Sequence, residues 1–242
     1  MGDDMQRLDK VLANMGFGSR KEVKKLIKCG AVEIDDAVVT GAEIKVDPEK
    51  QAIKVNGSVI SYRKYVYLMM NKPKGVITAT EDTRSTTVLD LIDEEHLNFS
   101  PSPVGRLDKD TEGLLILTND GGMNHGLTSP RKNIDKVYLA EVAGRVSMKD
   151  VELFRKGITL KDGYKALPAD LEILEEAAIS RVNITVREGK YHQVKRMFEA
   201  VDKKVVYLKR LSMGNLNLDE ALMPGEYREL TDQEVERLRS LI

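Results

Sequence analysis

Val104-Gly105-Arg106-Leu107-Asp108-Lys109-Asp110-Thr111-Glu112-Gly113-Leu114-Leu115-Ile116-Leu117-Thr118-Asn119-Asp120-Gly121 is the stretch on which the organisation of this 242-residue chain turns. A charged, glycine-flanked loop runs straight into Leu114 to Thr118, an apolar run with the composition of a buried strand, which Asn119-Asp120-Gly121-Gly122 ends as a turn. The loop presents Asp108 just ahead of that strand, on a rigid support where the carboxylate stays reachable. Asp108 and Asp110, two residues apart, are also compatible with a glycosidase pair, a metal site or plain turn aspartates. The loop alone leaves the chemistry open.

Outward from this loop, Val66 to Met70 is an apolar run, with Met69 and Met70 as core. Asn71-Lys72-Pro73-Lys74-Gly75 reads as a turn before the β-branched Val76-Ile77-Thr78. Arg84 to Asp90 and Phe99 to Arg106 read as loops around a short helix near Val88 to Ile92. Downstream, strands are expected at Val137 to Val142, Leu167 to Leu174, Arg181 to Val186, Val205 to Leu211 and Glu226 to Leu230. Helices are expected at Ser147 to Arg155, His192 to Val201 and Thr231 to Leu241, the last opened by a Thr231/Glu234 capping box. Runs of strands with scattered helices predict an α+β fold rather than a regular βαβ array.

The N-terminal part has a different pattern. Leu8, Val11, Leu12 and Met15 recur at helical spacing until Gly16, and Ser19 with Glu22 forms a capping box opening a second helix with Val23, Leu26 and Ile27 on its apolar side. Lys21, Lys24, Lys25 and Lys28 follow the i, i+3, i+4, i+7 rule and line one solvent stripe, suited to a phosphate backbone. Turn signals at Asp35-Asp36 and Asn56-Gly57 then punctuate short strands around Val32, Ile34, Ile53 and Val55. Ser58 to Lys64 reads as a polar connector, so a domain over residues 1–60 and a second over 61–242 are expected.

Composition narrows the function classes. Hydrophobic residues are 41% and charged residues 32%, a globular balance, and neither a membrane-length apolar run nor a signal peptide is evident, so a cytoplasmic protein is expected. One cysteine and three histidines leave no disulfide framework and no metal-ligand spacing; neither a metal nor an organic cofactor is expected. The net charge of −1 conceals segregation: Met5 to Gly30 holds seven basic and two acidic residues, Val186 to Arg210 eight and three, and Gly214 to Ile242 three and seven. Separated basic patches are the footprint of polyanion binding.

The segment RLDKVLANMGFGSRKEVKKLIKCGAVEIDDAVV resembles the S4 RNA-binding domain, through its Arg7-Leu8-Asp9-Lys10 opening, Ser19-Arg20 and the Gly30 to Val39 hairpin. That resemblance implies RNA contact through Arg20, Lys21, Lys24 and Lys25, in agreement with the stripe that also contains Lys28. GRLDKDTEGLLILTNDG resembles the signature loop of RsuA-type pseudouridine synthases, which act on ribosomal RNA. The likeness continues in Lys136-Val137-Tyr138, in Glu188 to Phe198 and in Pro224-Gly225-Glu226-Tyr227-Arg228, and so covers essentially the whole chain.

The family resemblance implies a catalytic domain on a mixed, mainly antiparallel sheet with flanking helices, and an isomerisation of uridine in ribosomal RNA to pseudouridine. In it Asp108 is the catalytic aspartate, Tyr138 packs on a flipped base, and Lys195 is the basic residue paired with Asp108. Many of these synthases have Arg at that place, so Lys195 gives up a bidentate fork. Arg106 and Arg196 are expected to contact RNA, and His192 to have a surface or packing role. Lys190 to Met197 is similar to the members acting on small-subunit RNA. The expected partner is ribosomal RNA or an assembly intermediate, with the protein as a monomer and no membrane. The rival reading is a non-catalytic S4-type RNA-binding assembly factor; a glycosidase is disfavoured because the chain has no tryptophan for a sugar to stack on.

Overall fold

In a computed structural model, residues 5–242 are described. They form two compact units: one runs up to Val66 and includes Asp93–Ser100, and the other comprises Tyr67–Ile92 and Pro101–Ile242.

In the first unit, β1 (Gln6–Arg7) leads into α1 (Leu8–Asn14), and α2 (Arg20–Lys28) follows. The predicted capping box is present: the Glu22 backbone N–H donates to Ser19 Oγ at 3.4 Å and the Ser19 N–H to Glu22 Oε2 at 2.8 Å. β2 (Val32–Ile34), β3 (Ala37–Val39), β4 (Lys45–Val46), β5 (Ile53–Val55) and β6 (Ser58–Val59) complete it. The sheet order is β3-β2-β5-β6, all antiparallel, with β1 paired to β4. Both hairpin turns are tight because Asp35, Asp36, Asn56 and Gly57 all take positive φ, the requirement of a two-residue turn matched to strand twist. Leu8, Leu12, Val23, Ile27, Val32 and Ile53 form the core. Ser58–Val59 belongs to this sheet, so what the sequence presents as a connector begins as an edge strand. The helix α3 (Glu94–Leu97) also belongs here, and the Arg63 guanidinium lies 5.1 Å over the Phe99 ring.

The second unit is built on β7 (Tyr67–Lys72), β8 (Ser102–Pro103), β9 (Glu112–Thr118), β10 (Lys136–Ala143), β11 (Asp170–Glu175), β12 (Ile179–Val186), β13 (Lys204–Met213), β14 (Leu216–Asn217) and β15 (Tyr227–Glu229). The order β11-β12-β10-β13-β9-β7-β15 is antiparallel except at β13-β9, so the sheet is mixed and mainly antiparallel and the chain is α+β. α4 (Gly121–Thr128) packs with α7 (Asp232–Arg239) near a core of Met69, Leu114, Ile116, Met123, Leu127 and Leu238. α5 (Met148–Lys156) packs on β11 and α6 (Gln193–Glu199) on β13, with the Phe154 and Phe198 rings 4.8 Å apart.

Other local readings also differ from the structure. Asn71 and Lys72 continue β7 instead of opening a turn, because the Asn71 N–H donates to Glu226 O and Lys72 pairs with Gly113. Val76-Ile77-Thr78 is no strand and makes one isolated bridge, Ile77 to Thr87. Gly121-Gly122 opens a helix rather than a plain turn, since Asp120 accepts the Met123 N–H at 3.0 Å as its N-cap.

Candidate active site

The loop before β9 is pinned from several sides. The Thr78 hydroxyl donates to Leu107 O at 2.8 Å, the Gly75 N–H donates to Lys109 O at 2.7 Å, and the Thr111 N–H closes on Asp108 O at 3.0 Å. Lys72, fully buried, donates from Nζ to Pro73 O at 3.0 Å and Thr111 O at 2.9 Å. Burial pushes its pKa down to about 8, against the upward pull of Asp110, Glu112 and Asp108. Gly113 is obligatory for the next step: its φ is +100°, and a Cβ there would meet Arg210 O at 2.2 Å. The parallel β13-β9 contact thus locks the loop end against β13.

Asp108 ends up facing α6. Lys195 Nζ donates to Asp108 Oδ2 at 3.0 Å and to Asp110 Oδ1 at 2.6 Å, so two carboxylates share one ammonium. The Lys195 side chain is 17% exposed and that of Asp108 27%, which leaves the pair sheltered yet reachable. Burial lowers the Lys195 pKa, but the bonds to Asp110 and Asp108 outweigh it and the net shift is upward; the same Lys195 bond holds the Asp110 carboxyl below its ordinary range. His192 takes a left-handed φ of +49°, places Nε2 3.5 Å from Asp108 Oδ1, and stacks at 3.8 Å on the exposed Tyr191 ring. The sequence puts His192 on the surface or in packing. The structure puts it beside the carboxylate.

A cavity of about 750 Å³ opens over this loop, lined by Arg106, Asp108, Lys136, Tyr138, His192 and Arg210 among others. Lys136 and Tyr138 alternate onto the buried face of β10, and Tyr138 sits opposite Arg210 on β13. Tyr138 is 9% exposed, with its ring in the cavity wall. Arg106 is exposed and also lines the cavity. Arg196 is not brought into this cavity: its guanidinium pairs with Asp162 and donates to Tyr191 O at 3.4 Å. Glu188 also lines the cavity, and its carboxylate accepts from the Tyr164 hydroxyl at 2.5 Å, Gln193 Nε2 at 2.7 Å and the Leu167 N–H at 2.9 Å.

Asp110 as the second partner of Lys195, the buried Lys72 and the buried Arg210 are not among the residues expected from the sequence. For Lys72 the available signal was a lysine closing the apolar run of β7, which is rare unless the charge is used; Arg210, beside Lys209, and Asp110, in a loop, gave none. On the other unit, Arg20, Lys21, Lys24, Lys25 and Lys28 are all exposed along α2, and among the described residues none of them makes an ion pair. No three His, Cys, Asp or Glu side chains converge on a possible metal position among the described residues, and no helix there is long and apolar enough to cross a membrane.

Residues 66–200 match the RNA pseudouridylate synthase family and residues 6–51 the S4 domain. An uncharacterised RNA pseudouridine synthase of Bacillus subtilis is 51% identical over 233 residues, covering 96% of this chain and 98% of the relative. The ribosomal small subunit pseudouridine synthase A of Vibrio cholerae is 42% identical, with 95% and 97% covered, and the ribosomal large subunit pseudouridine synthase B of Bacillus subtilis is 40% identical, with 98% and 97% covered. A crystal structure of a pseudouridylate synthase superposes with a TM-score of 0.68 at 37% identity, covering 96% of this chain and 99% of that one. The chain belongs to the RNA pseudouridylate synthase family, as an S4-domain-bearing RNA isomerase.

Proposed function

We propose that the protein converts a uridine of small-subunit ribosomal RNA to pseudouridine, with Asp108 as the catalytic aspartate acting on a base flipped out of the stack. The observation that carries this reading is the Asp108 carboxylate, held at 3.0 Å by the Lys195 ammonium on the wall of a cavity that also contains the Tyr138 ring. The reaction breaks the N1–C1′ bond, turns the base and rejoins it through C5. An ionised carboxylate suits it as nucleophile or base at the sugar and as a counter-charge to the positive C1′.

Lys195 donates to that carboxylate and fixes its rotamer. Tyr138 gives the extruded base a face to stack on, and the cavity of about 750 Å³ has room for a nucleotide. Arg106 clamps the strand beside the flipped residue. Residues 1–60 dock RNA through the α2 stripe, and 61–242 carry the chemistry. The small-subunit target is supported by the Lys190 to Met197 sequence and by relatives named for that subunit.

The test is release of tritium from ribosomal RNA carrying [5-³H]uridine, because the new glycosidic bond forms at C5 and expels that hydrogen. Purified protein should release label from small-subunit RNA, and Asp108→Asn should not. Release from large-subunit RNA alone would reassign the substrate, and equal release by Asp108→Asn would remove Asp108 from the mechanism.

A further inference from the structure

Two buried cations in the cavity wall have no role in the account above. Arg210 is 2% exposed and Lys136 8%. Arg210 donates from Nε to Leu114 O at 2.7 Å, while its Nη2 is buried with no hydrogen-bond partner. Lys136 donates to Ile134 O at 2.8 Å, and among the described residues neither cation is ion-paired. The carboxylates nearby are engaged elsewhere: Asp108 and Asp110 by Lys195, Glu188 by Tyr164 and Gln193, Asp135 by Arg187. Burial, and then the Arg210 charge, push the Lys136 pKa down to about 8 against the weaker upward pull of Asp135, so the two cations share one poorly solvated space. A buried charge without an ion-pair partner is costly, so two of them on one cavity wall favour a ligand that brings negative charge.

The register shows where that partner lies. Tyr138 pairs across the strands with Arg210, and Lys136 is two residues back on the same face. Residues opposed in an antiparallel ladder share a face and are near neighbours. The phosphates of a flipped nucleotide stay with the strand at the mouth, whereas these cations lie deep beside the ring that stacks the base.

We propose that Arg210 and Lys136 cradle the uracil and stabilise the negative charge that collects on it as its glycosidic bond breaks. This rests on the pseudouridine reading. The C1′–N1 electron pair stays with the base and spreads over N1, O2 and O4. The electron-poor sugar is neutralised by Asp108, either by bonding at C1′ or by taking the 2′ proton. After the base turns, C5 gives a pair to C1′, Asp108 is released or returns its proton, the C5 proton departs to solvent and N1 takes one up, so nothing is oxidised or reduced. Preorganised donors aimed at developing charge act on the rate more than on substrate affinity.

Arg210→Gln should lower the single-turnover rate at saturating RNA by about 100-fold while RNA affinity stays within about threefold, and Arg210→Lys should recover about tenfold of the loss. Lys136→Gln should behave like Arg210→Gln with a smaller loss, and carries the test if Arg210→Gln fails to fold. An activity-independent arm uses 5-nitrouracil, a uracil acidic enough to be an anion at neutral pH, followed by its absorbance: wild type should bind it about tenfold tighter than either Gln variant. An unchanged rate at saturation with weaker RNA binding and a flatter salt slope would assign the cations to phosphate and overturn the proposal. Equal 5-nitrouracil affinity in wild type and variants would also overturn it. If wild type made no pseudouridine yet still discriminated for 5-nitrouracil, the function assigned above would fail and the anion cradle would stand.

Discussion

At the scale of single residues, the site depends on how many charges one ammonium holds. Lys195 is closer to Asp110, at 2.6 Å, than to Asp108, at 3.0 Å, so Asp110 competes for the cation that orients the Asp108 carboxylate. Asp108→Asn keeps the shape and loses the anion, so turnover should fall by about 10³-fold or more while RNA affinity holds, measured as kcat and Kd separately. Asp110→Asn should cost about tenfold or less, since Asp108 then holds the ammonium alone; a loss matching that of Asp108→Asn would point to a paired-carboxylate mechanism. The loop before the buried strand marked Asp108 as a reachable carboxylate, but only the family resemblance singled it out from a turn aspartate. The pairing with Lys195, 87 residues on, was legible only through the family pattern. The His192 position was not, because a left-handed φ at a helix entrance leaves no mark in hydrophobic periodicity.

At the scale of elements, α2 and the β13-β9 contact make separable contributions. Replacing Lys21, Lys24, Lys25 and Lys28 together by Gln removes exposed cations without disturbing Val23 or Ile27 in the core. RNA binding should weaken and the slope of log affinity against log salt should flatten by about three to four, with turnover at saturating RNA little changed. An unaltered slope would withdraw the docking role of this helix. Gly113→Ala drives a Cβ into the Arg210 backbone at a φ of +100°, so thermal or urea unfolding should show a loss of about 3 kcal/mol. Most strands and helices were legible because amphipathic period and capping boxes agreed with the fold. α4 was not: two glycines at its start read as a turn, and the Asp120 cap that overrides them is a hydrogen bond rather than a propensity.

At the scale of the whole molecule, α+β order was readable from the succession of runs, but the adjacency of β13 and β9 was not. A parallel pair between strands so distant in sequence is settled by tertiary packing, and it is what brings Arg210 to the loop of Asp108. The C-terminal helix is fastened by Arg228, which donates to Glu234 at 2.8 Å and to Asp219 at 2.7 Å. That hydrogen bond holds Glu234 at about 2, below its ordinary 4.5. A depressed carboxyl stabilises the fold above its unfolded value and loses that contribution as pH falls through the folded one. Stability should therefore decline between about pH 4.5 and 2, and Glu234→Gln should flatten the decline while lowering stability at neutral pH, in melts taken across that range.

Mapping pseudouridines across ribosomal RNA from cells with the protein, without it, and with Asp108→Asn in its place tests both the substrate and the role of Asp108. A single small-subunit pseudouridine should disappear on deletion, return with the wild-type chain and stay absent with Asp108→Asn. An unchanged pseudouridine map after deletion, or full restoration by Asp108→Asn, would contradict the account.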